Sequence, residues 1–168
     1  NVEGVVGGNF NDTITGDGNA NALYGSDGDD TITAGGGNDT LDGGDGADAL
    51  DGGTGTDHVR YDNSTAAVNV NLNTASGTGG HAQGDTYVSI EDVYGSAHND
   101  TLTGDTGANE LHGQGGNDSI TGGDGNDTIN GGDGADNIWG GAGADAMDGG
   151  ADVDYAYYWS ATAGVTID

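Results

Sequence analysis

This chain of 168 residues has no cysteine, no proline and almost no basic residues. Without cysteine no disulfide can stabilise the fold, which fits an extracellular protein held together by metal ions instead. Arg60 is the single Lys or Arg against 29 acidic residues, so the net charge is −28. Nucleic acid and anionic membranes repel such a surface, and neither is expected as a partner. No apolar run approaches the roughly eighteen residues of a membrane span, and no signal peptide is recognisable.

The chain is also poor in material for a conventional core. Hydrophobic residues make up 32% of it, and 38 residues are glycine. Composition of this kind, with a large net charge, is typical of disordered chains. A fold that forms only when cations neutralise the charge would reconcile this composition with the order that the sequence pattern indicates.

A strict nine-residue period is the strongest pattern present, and it is clearest over residues 113–148. Four blocks there read GQGGNDSIT, GGDGNDTIN, GGDGADNIW and GGAGADAMD. Positions one to six are rich in glycine and predict a tight turn. Positions seven to nine alternate polar, apolar and polar, which predicts a very short strand with its middle side chain facing inward. Two blocks therefore make one coil of about eighteen residues.

The aspartate at position six indicates what neutralises the charge. Stacked coils place these carboxylates in columns at the strand spacing of about 4.8 Å, where they repel one another unless cations lie between the rows. Carboxylate and carbonyl oxygens, with no cysteine and few histidines, favour calcium among the common ions.

The repeat resembles that of the RTX, or hemolysin-type, calcium-binding family, whose G-G-x-G-x-D-x-U-x unit forms a right-handed parallel β-roll. The resemblance implies an all-β fold, a calcium-stacked solenoid of nonapeptides. It also implies that each ion takes carbonyl oxygens of positions two and four and the aspartate from one block. The other ligands would be carbonyl oxygens of positions one and three and the aspartate of the block eighteen residues later.

Thirteen such blocks divide the chain. We expect a first roll of six nonapeptides over residues 1–60, capping or linking strands over 61–94, and a second roll of seven nonapeptides over 95–157. Residues 158–168 would begin a second, truncated capping segment. Sequence matches at offsets of 88 and 97 residues indicate a longer repeat above the short one, so we interpret the chain as a fragment of a larger modular protein.

Residues 61–94 break the period. Val68, Val70 and Leu72 predict one strand, residues 77–84 a loop, and residues 87–93 a return strand. Two interpretations are open: a capping hairpin that covers the end of one roll and starts the next, or a binding surface.

Position-six residues eighteen apart face each other in adjacent coils, which gives up to nine interior calcium sites. Nine divalent ions would carry +18 against the net charge of −28. The position-six ligands are Asp12, Asn21, Asp30, Asp39, Asp48, Asp57, Asp100, Asn109, Asp118, Asp127, Asp136, Asp145 and Asp154. The resemblance adds backbone ligands at Gly8, Gly25, Ser26, Asp27, Gly28, Gly35, Gly36, Gly37, Gly43, Asp45, Gly52, Thr54, Ser96, Gly107, Gly113, Gln114, Gly115, Gly116, Gly122, Gly123, Asp124, Gly125, Gly131, Gly132, Asp133, Gly134, Gly140, Ala142, Gly149 and Ala151.

The first blocks of each roll depart from the template. Asn21 and Asn109 lack the carboxylate charge, so their sites should be weaker. Glu3 and Glu91 precede the two rolls at matching places. In the family an acidic residue there often completes a first calcium site; the alternative is an exposed carboxylate at a strand end.

The sequence favours a calcium-binding module rather than an enzyme, because the repeats account for nearly all carboxylates and leave no spare acid–base pair. The resemblance implies a part of a larger secreted bacterial protein that leaves the cell by type I secretion and folds in external calcium. One alternative is a carbohydrate-binding accessory module of a secreted enzyme such as an alginate epimerase or a lipase; another is the spacer of a large adhesin. The aromatic cluster of Tyr155, Tyr157, Tyr158 and Trp159 either caps the roll or stacks on a sugar.

Overall fold

The computed structural model describes residues 3–158, which form eighteen short strands and one 3-10 turn at Gly80–Ala82. The strands are β1 (Gly4–Val6), β2 (Thr13–Thr15), β3 (Ala22–Asp27), β4 (Thr31–Gly36), β5 (Thr40–Asp45), β6 (Ala49–Thr54), β7 (His58–Arg60), β8 (Asn69–Asn71), β9 (Ser76–Thr78), β10 (Thr86–Val88), β11 (Asp92–Tyr94), β12 (Thr101–Thr103), β13 (Glu110–Gly115), β14 (Ser119–Asp124), β15 (Thr128–Asp133), β16 (Asn137–Ala142), β17 (Ala146–Ala151) and β18 (Tyr155–Tyr157). No α-helix occurs among these residues, and no helix of any kind among them is long and apolar enough to cross a membrane.

Outside residues 61–94 consecutive strands alternate between two sheets, so the chain winds as a parallel β-roll. One sheet has the order β1-β3-β5-β7-β11-β13-β15-β17, and all its pairs are parallel. Within the repeats the paired residues are eighteen apart, as in Leu23 with Leu41 and Ile120 with Ile138. The expected all-β roll with a coil of two nonapeptides is therefore confirmed.

The core is a column of position-eight side chains between the two sheets. Each short strand points its middle residue inward, and these residues from Ile14 to Ile138 are at most 6% exposed. The column has one apolar side chain per nine residues. The inward position weakens at the end of the described chain, where Met147 is half-buried and Ala156 is exposed.

Residues 61–94, here called the seam, are part of the roll rather than a cap between two rolls. In the first sheet β11 pairs in parallel with both β7 and β13, so that sheet crosses the seam without a break. In the second sheet β10 continues from β6 and β8 continues into β12. The expected subdivision into two short rolls separated by a capping hairpin is thus corrected to one continuous solenoid.

The second sheet closes across the seam by one inserted strand. β9 pairs antiparallel with both β8 and β10, and it lies partly in the segment predicted to be a loop. This arrangement buries a local core that the nonapeptide template does not supply: Tyr61, Val68, Val70, Leu72, Ala82, Tyr87, Ile90 and Val93. The seam therefore packs through ordinary side-chain contacts, whereas the repeats on both sides of it have a single apolar column.

Two sequence-based expectations fall outside or beyond this description. Trp159 and the segment 158–168, apart from its first residue, lie outside the described residues. The division of the chain into segments that end at residues 60, 94 and 157 stays a prediction.

Candidate metal centre

A ladder of hydrogen bonds joins the position-six residues of adjacent rows. The backbone N–H of Asp30 donates to Asp48 Oδ1 at 2.8 Å, and the N–H of Asp118 donates to Asp136 Oδ1 at 2.8 Å. The same contact recurs through the repeats at a spacing of eighteen residues. Each bond holds the Oδ1 of a position-six carboxylate against the backbone of the preceding row. It thereby also sets the direction of the second oxygen of that carboxylate.

That second oxygen, Oδ2, lies buried without a hydrogen-bond partner in seven aspartates. They are Asp30, Asp39, Asp48, Asp57, Asp118, Asp127 and Asp136, and each is at most 1% exposed. A buried carboxylate oxygen without a partner is strongly unfavourable, and such groups are rare in folded proteins. Seven of them at equivalent positions indicate a shared kind of partner, and a cation would satisfy all seven.

The orphaned oxygens face backbone carbonyls of the next row. A methyl group built on Gly25 would lie 2.1 Å from Asp30 Oδ2 and 2.4 Å from the carbonyl oxygen of Gly43. On Gly131 it would lie 2.2 Å from Asp136 Oδ2 and 2.5 Å from the Gly149 carbonyl oxygen. Position one must therefore lack a side chain, and the space beside it is bounded by carboxylate and carbonyl oxygens.

The carbonyls of positions two and four point at the equivalent glycines of the next row. A methyl group on Gly44 would lie 1.9 Å from the carbonyl oxygen of Ser26, and one on Gly46 would lie 2.0 Å from that of Gly28. Ser26 itself adopts φ 88°, in the left-handed region that ordinary side chains avoid. Position three behaves differently, since the Asp45 carbonyl already accepts a hydrogen bond from Gly28 N–H at 2.8 Å.

Burial and like charge perturb the acidity of these carboxyl groups. Desolvation, with smaller contributions from neighbouring carboxylates, raises the pKa of Asp48 and of Asp118 to about 7. Desolvation also raises the pKa of Asp57, Asp127 and Asp136. These five carboxylates therefore lie in surroundings that disfavour their charge, which is the situation that a bound cation relieves.

Two conformations of the nonapeptide occur in the roll. In what we call open blocks, position two has positive φ, and in seven of the nine the Oδ2 of the position-six aspartate is buried without a hydrogen-bond partner. The open blocks are 25–33, 34–42, 43–51, 52–60, 113–121, 122–130, 131–139, 140–148 and 149–157. In closed blocks, position two keeps an ordinary φ and its N–H donates to the position-six side chain of the same block. The closed blocks are 7–15, 16–24, 95–103 and 104–112.

In closed blocks the backbone N–H of position two hydrogen-bonds the position-six side-chain oxygen that has no partner in seven of the open blocks. Gly8 N–H donates to Asp12 Oδ2 at 2.6 Å, and Ser96 N–H donates to Asp100 Oδ2. The N–H of Asp17 makes the equivalent bond to Asn21 Oδ1 at 2.9 Å. Asn109 accepts the same kind of bond, again at 2.9 Å.

The structure thus divides the nine expected pairs into two groups. Five pairs have an open block as the earlier member: Asp30 with Asp48, Asp39 with Asp57, Asp118 with Asp136, Asp127 with Asp145, and Asp136 with Asp154. The other four begin in closed blocks: Asp12 with Asp30, Asn21 with Asp39, Asp100 with Asp118, and Asn109 with Asp127. All the expected ligand residues lie in the described roll, but only the first group leaves an oxygen of the earlier carboxylate free.

Two features of the site were not recognised in the sequence. Position-five side chains form an outer ladder, in which Asn99 Oδ1 accepts the N–H of Asn117, and Asn117 Oδ1 accepts that of Ala135, both at 2.9 Å. The recurrence of Asn or Asp at position five was a readable signal for it. Asp85 continues an aspartate column into the seam, where its Oδ1 accepts the Asp48 N–H at 2.9 Å. No nine-residue spacing marks this aspartate.

Side chains alone do not gather a metal site. Within residues 3–158 no three or more His, Cys, Asp or Glu side chains surround one point. His58, His81 and His112 each lie beside a single carboxylate instead, those of Asp92, Asp45 and Glu110. A cation here has to be held largely by backbone carbonyls with one carboxylate from each row, which is a donor set for a hard ion such as calcium.

Comparison with known families agrees with this chemistry. The RTX calcium-binding nonapeptide repeat matches the chain in four copies, over residues 5–32, 24–59, 94–129 and 121–156. A search of curated proteins found no match. Because the repeat matches cover well over half of the chain, it belongs to the RTX calcium-binding nonapeptide repeat family. The matches stop on both sides of the seam, where the nonapeptide template is lost.

Proposed function

We propose that this chain is a calcium-binding structural module whose roll forms when ions enter between the rows of open blocks. The observation that carries the proposal is the set of seven buried aspartate oxygens without partners. In five pairs of rows such an oxygen lies opposite the aspartate of the next row. In each pair the carbonyls of positions one, two and four would complete an oxygen shell.

Folding should depend on the ions because the roll has little else to stabilise it. One apolar side chain per nine residues offsets only part of the backbone entropy lost on ordering, about 1–2 kcal/mol per residue. The net charge of −28 opposes compaction further. Calcium would supply both the missing charge and the missing partners, so its binding free energy would become folding free energy.

Coupled folding suits a protein that crosses an export channel unfolded. The chain would stay unfolded at the low calcium concentration inside a bacterium, pass through a type I secretion system, and fold outside. Extracellular calcium modules commonly have dissociation constants of roughly 10⁻⁴–10⁻³ M. In this proposal the chain is one section of a larger secreted or cell-surface protein, and it provides a spacer or a scaffold rather than catalysis.

Far-ultraviolet circular dichroism tests the coupling directly. The spectrum recorded in EDTA should be that of a coil, and added calcium should convert it cooperatively to a β spectrum. Magnesium at the same concentration should not, because it requires a small octahedral shell and gives up its water reluctantly. A β spectrum that persists in EDTA would contradict the proposal.

Carbohydrate binding is a second candidate, favoured by aromatic side chains on the outside of the roll. The rings of Trp139 and Tyr157 stack with their centroids 4.6 Å apart and their planes within 8°. Tyr157 is exposed and Trp139 is half-buried, and the outer face of such a stacked pair offers a surface for the apolar face of a sugar. Titration of calcium-loaded protein with alginate oligosaccharides should quench tryptophan fluorescence if this surface binds them. If this surface does not bind the oligosaccharides, the variant Trp139→Ala should bind them as tightly as the parent chain does.

A further inference from the structure

Two aspartate columns of the first half end at the seam. The five open pairs account for the orphaned oxygens of Asp30, Asp39, Asp118, Asp127 and Asp136. Asp48 and Asp57 are left, and the Oδ2 of each is also buried without a partner. The next row for both of them belongs to the seam, where no nonapeptide supplies position-one carbonyls or a position-six aspartate.

The column that contains Asp57 nevertheless continues into the seam, where other groups take the places of the ligands of a repeat site. Asp57 N–H donates to Glu91 Oε2 at 2.9 Å, which is the bond that the next aspartate accepts elsewhere. A methyl group on Gly52 would lie 2.3 Å from the Ser89 carbonyl oxygen and 2.6 Å from Asp57 Oδ2. Ser89 therefore presents its carbonyl where position one of a following nonapeptide would. Its φ of 50°, unusual for a residue other than glycine, accompanies this arrangement.

The Asp48 column ends differently, although its first contact is the same. Asp85 Oδ1 accepts the Asp48 N–H, but Asp85 Oδ2 accepts a hydrogen bond from the Tyr61 hydroxyl at 2.7 Å. That hydroxyl lies 2.6 Å from the hydroxyl of Tyr87. The atoms nearest to a methyl group on Gly43 all belong to Asp48, so no carbonyl of a following row is among them. Here a hydroxyl group of the protein itself, that of Tyr61, hydrogen-bonds the second oxygen of the following carboxylate, that of Asp85.

We propose that the seam holds one further calcium site, formed by the carboxylates of Asp57 and Glu91 and the backbone carbonyl of Ser89. The inference rests on the proposed function, because it assumes that the repeats bind calcium. Asp57 is fully buried and its Oδ2 points at this space. Gly53 at position two of the same block has φ 92°, within the range of the open blocks, and its carbonyl would be a further ligand. The ion would tie block 52–60 to β11 and thereby join the two halves of the roll.

Native mass spectrometry at saturating calcium counts the ions directly. The test variant is Glu91→Gln, whose amide oxygen can still accept the Asp57 N–H while its NH₂ group cannot bind a cation. The matched control is Glu110→Gln, which removes the same charge from a side chain that contacts His112 and belongs to none of the calcium pairs. The site predicts one ion fewer in Glu91→Gln and an unchanged count in Glu110→Gln. Equal counts in Glu91→Gln and the parent chain would overturn it.

The two proposals fail in different ways. A parent chain that binds no calcium would refute the proposed function, whereas a parent chain that binds ions with no change in Glu91→Gln would refute the seam site alone. Anomalous diffraction from crystals of the parent chain grown in calcium gives a test that needs no variant. A peak between Asp57 and Glu91 is expected, and peaks confined to the repeat pairs would overturn the site even if Glu91→Gln failed to fold.

Discussion

Open and closed blocks follow the same nonapeptide template but make opposite use of position two. In closed blocks the N–H of this residue satisfies the position-six side chain, as Gly8 does for Asp12. In open blocks the residue has positive φ, as Gly132 has with φ 108°, and the second oxygen of Asp136 is left without a partner. A local backbone rotation therefore decides whether an aspartate is completed by its own chain or needs a cation.

We therefore expect that the number of bound ions is not proportional to the number of repeats. Closed blocks are the first two of each half, where the preceding row is a short strand or the seam. They satisfy their own polar atoms, and we expect them to form without an ion. Open blocks follow them, and we expect their stability to depend on bound cations.

The largest effect should come from adding a methyl group at position two of an open block. In Gly132→Ala the new carbon would lie 2.2 Å from the Gln114 carbonyl oxygen, on a backbone with φ 108°. Since backbone atoms cannot easily give way, we expect the calcium-bound fold to lose about 3 kcal/mol or more of unfolding free energy.

Gly8→Ala is the matched change in a closed block. Its nearest neighbour would be Asp12 Oδ2 at 3.7 Å, an ordinary contact, and the free energy of unfolding should change by less than about 0.5 kcal/mol. Urea denaturation in saturating calcium measures both variants. Equal losses in the two would mean that the distinction between open and closed blocks is not real.

The second effect concerns the carboxylate itself. Asp136 belongs to two open pairs, with Asp118 before it and Asp154 after it. Asp136→Asn keeps the shape but removes a charge that two ions would share, so calcium affinity at both should fall by roughly tenfold, or about 1.4 kcal/mol each.

Asp12→Asn is the control in a closed block, because an amide oxygen can accept the Gly8 N–H as the carboxylate does. Isothermal titration calorimetry should show two weakened sites in Asp136→Asn and almost none in Asp12→Asn. A titration of Asp136→Asn that superimposes on that of the parent chain would remove Asp136 from the ligands.

The third prediction tests the seam, where hydroxyl groups replace an ion. Tyr61 is fully buried and its hydroxyl donates to Asp85, whose pKa burial raises to about 6. Tyr61→Phe would leave that carboxylate oxygen unpaired and should cost about 1–3 kcal/mol, with the bound calcium count unchanged.

Tyr157→Phe removes a hydroxyl that donates to Asn137 at 3.0 Å on the exposed surface, and it should have almost no effect on stability. Thermal unfolding in saturating calcium compares the two tyrosine variants, and native mass spectrometry compares their ion counts. A calcium count that rises or falls in Tyr61→Phe would argue against a purely structural hydroxyl.

The smallest effect is a relief of strain. Gln114 occupies position two of an open block with φ 77°, which costs a residue other than glycine about 1 kcal/mol. Gln114→Gly should therefore stabilise the calcium-bound roll slightly. Ser96→Gly, at position two of a closed block, should destabilise it, because the Ser96 hydroxyl donates to Asp100 Oδ1 at 2.8 Å. Melting temperatures that shift in the same direction would contradict this interpretation.

The sequence predicted the roll because a period of nine residues fixes both turn and strand. The inward column from Ile14 to Ile138 and the eighteen-residue register of facing aspartates follow from that period alone. Closed blocks were marked in the sequence only by Asn21 and Asn109, which indicate weaker binding but not a different hydrogen bond.

Residues 61–94 show where sequence reasoning stopped. Their apolar residues predicted strands, but the pairing of those strands depends on contacts distant in the chain, such as Asp92 with His58 and with Glu110. Nothing local distinguishes a cap that ends one roll from an insertion that continues it.

The sequence by itself determined the repeat, the family, the charge that has to be neutralised and the kind of ligand atoms. Each of these depends on residue types at a fixed spacing, which stacking multiplies without changing. The tertiary structure alone decided which aspartates keep a free oxygen and how two halves became one solenoid. It also decided that the Tyr61 hydroxyl hydrogen-bonds the carboxylate at the end of one aspartate column, whereas Asp57, next to Glu91 in the other column, keeps an oxygen without a partner. Those outcomes depend on the direction of single N–H and C=O groups and on partners far away in the sequence, which composition and period do not encode.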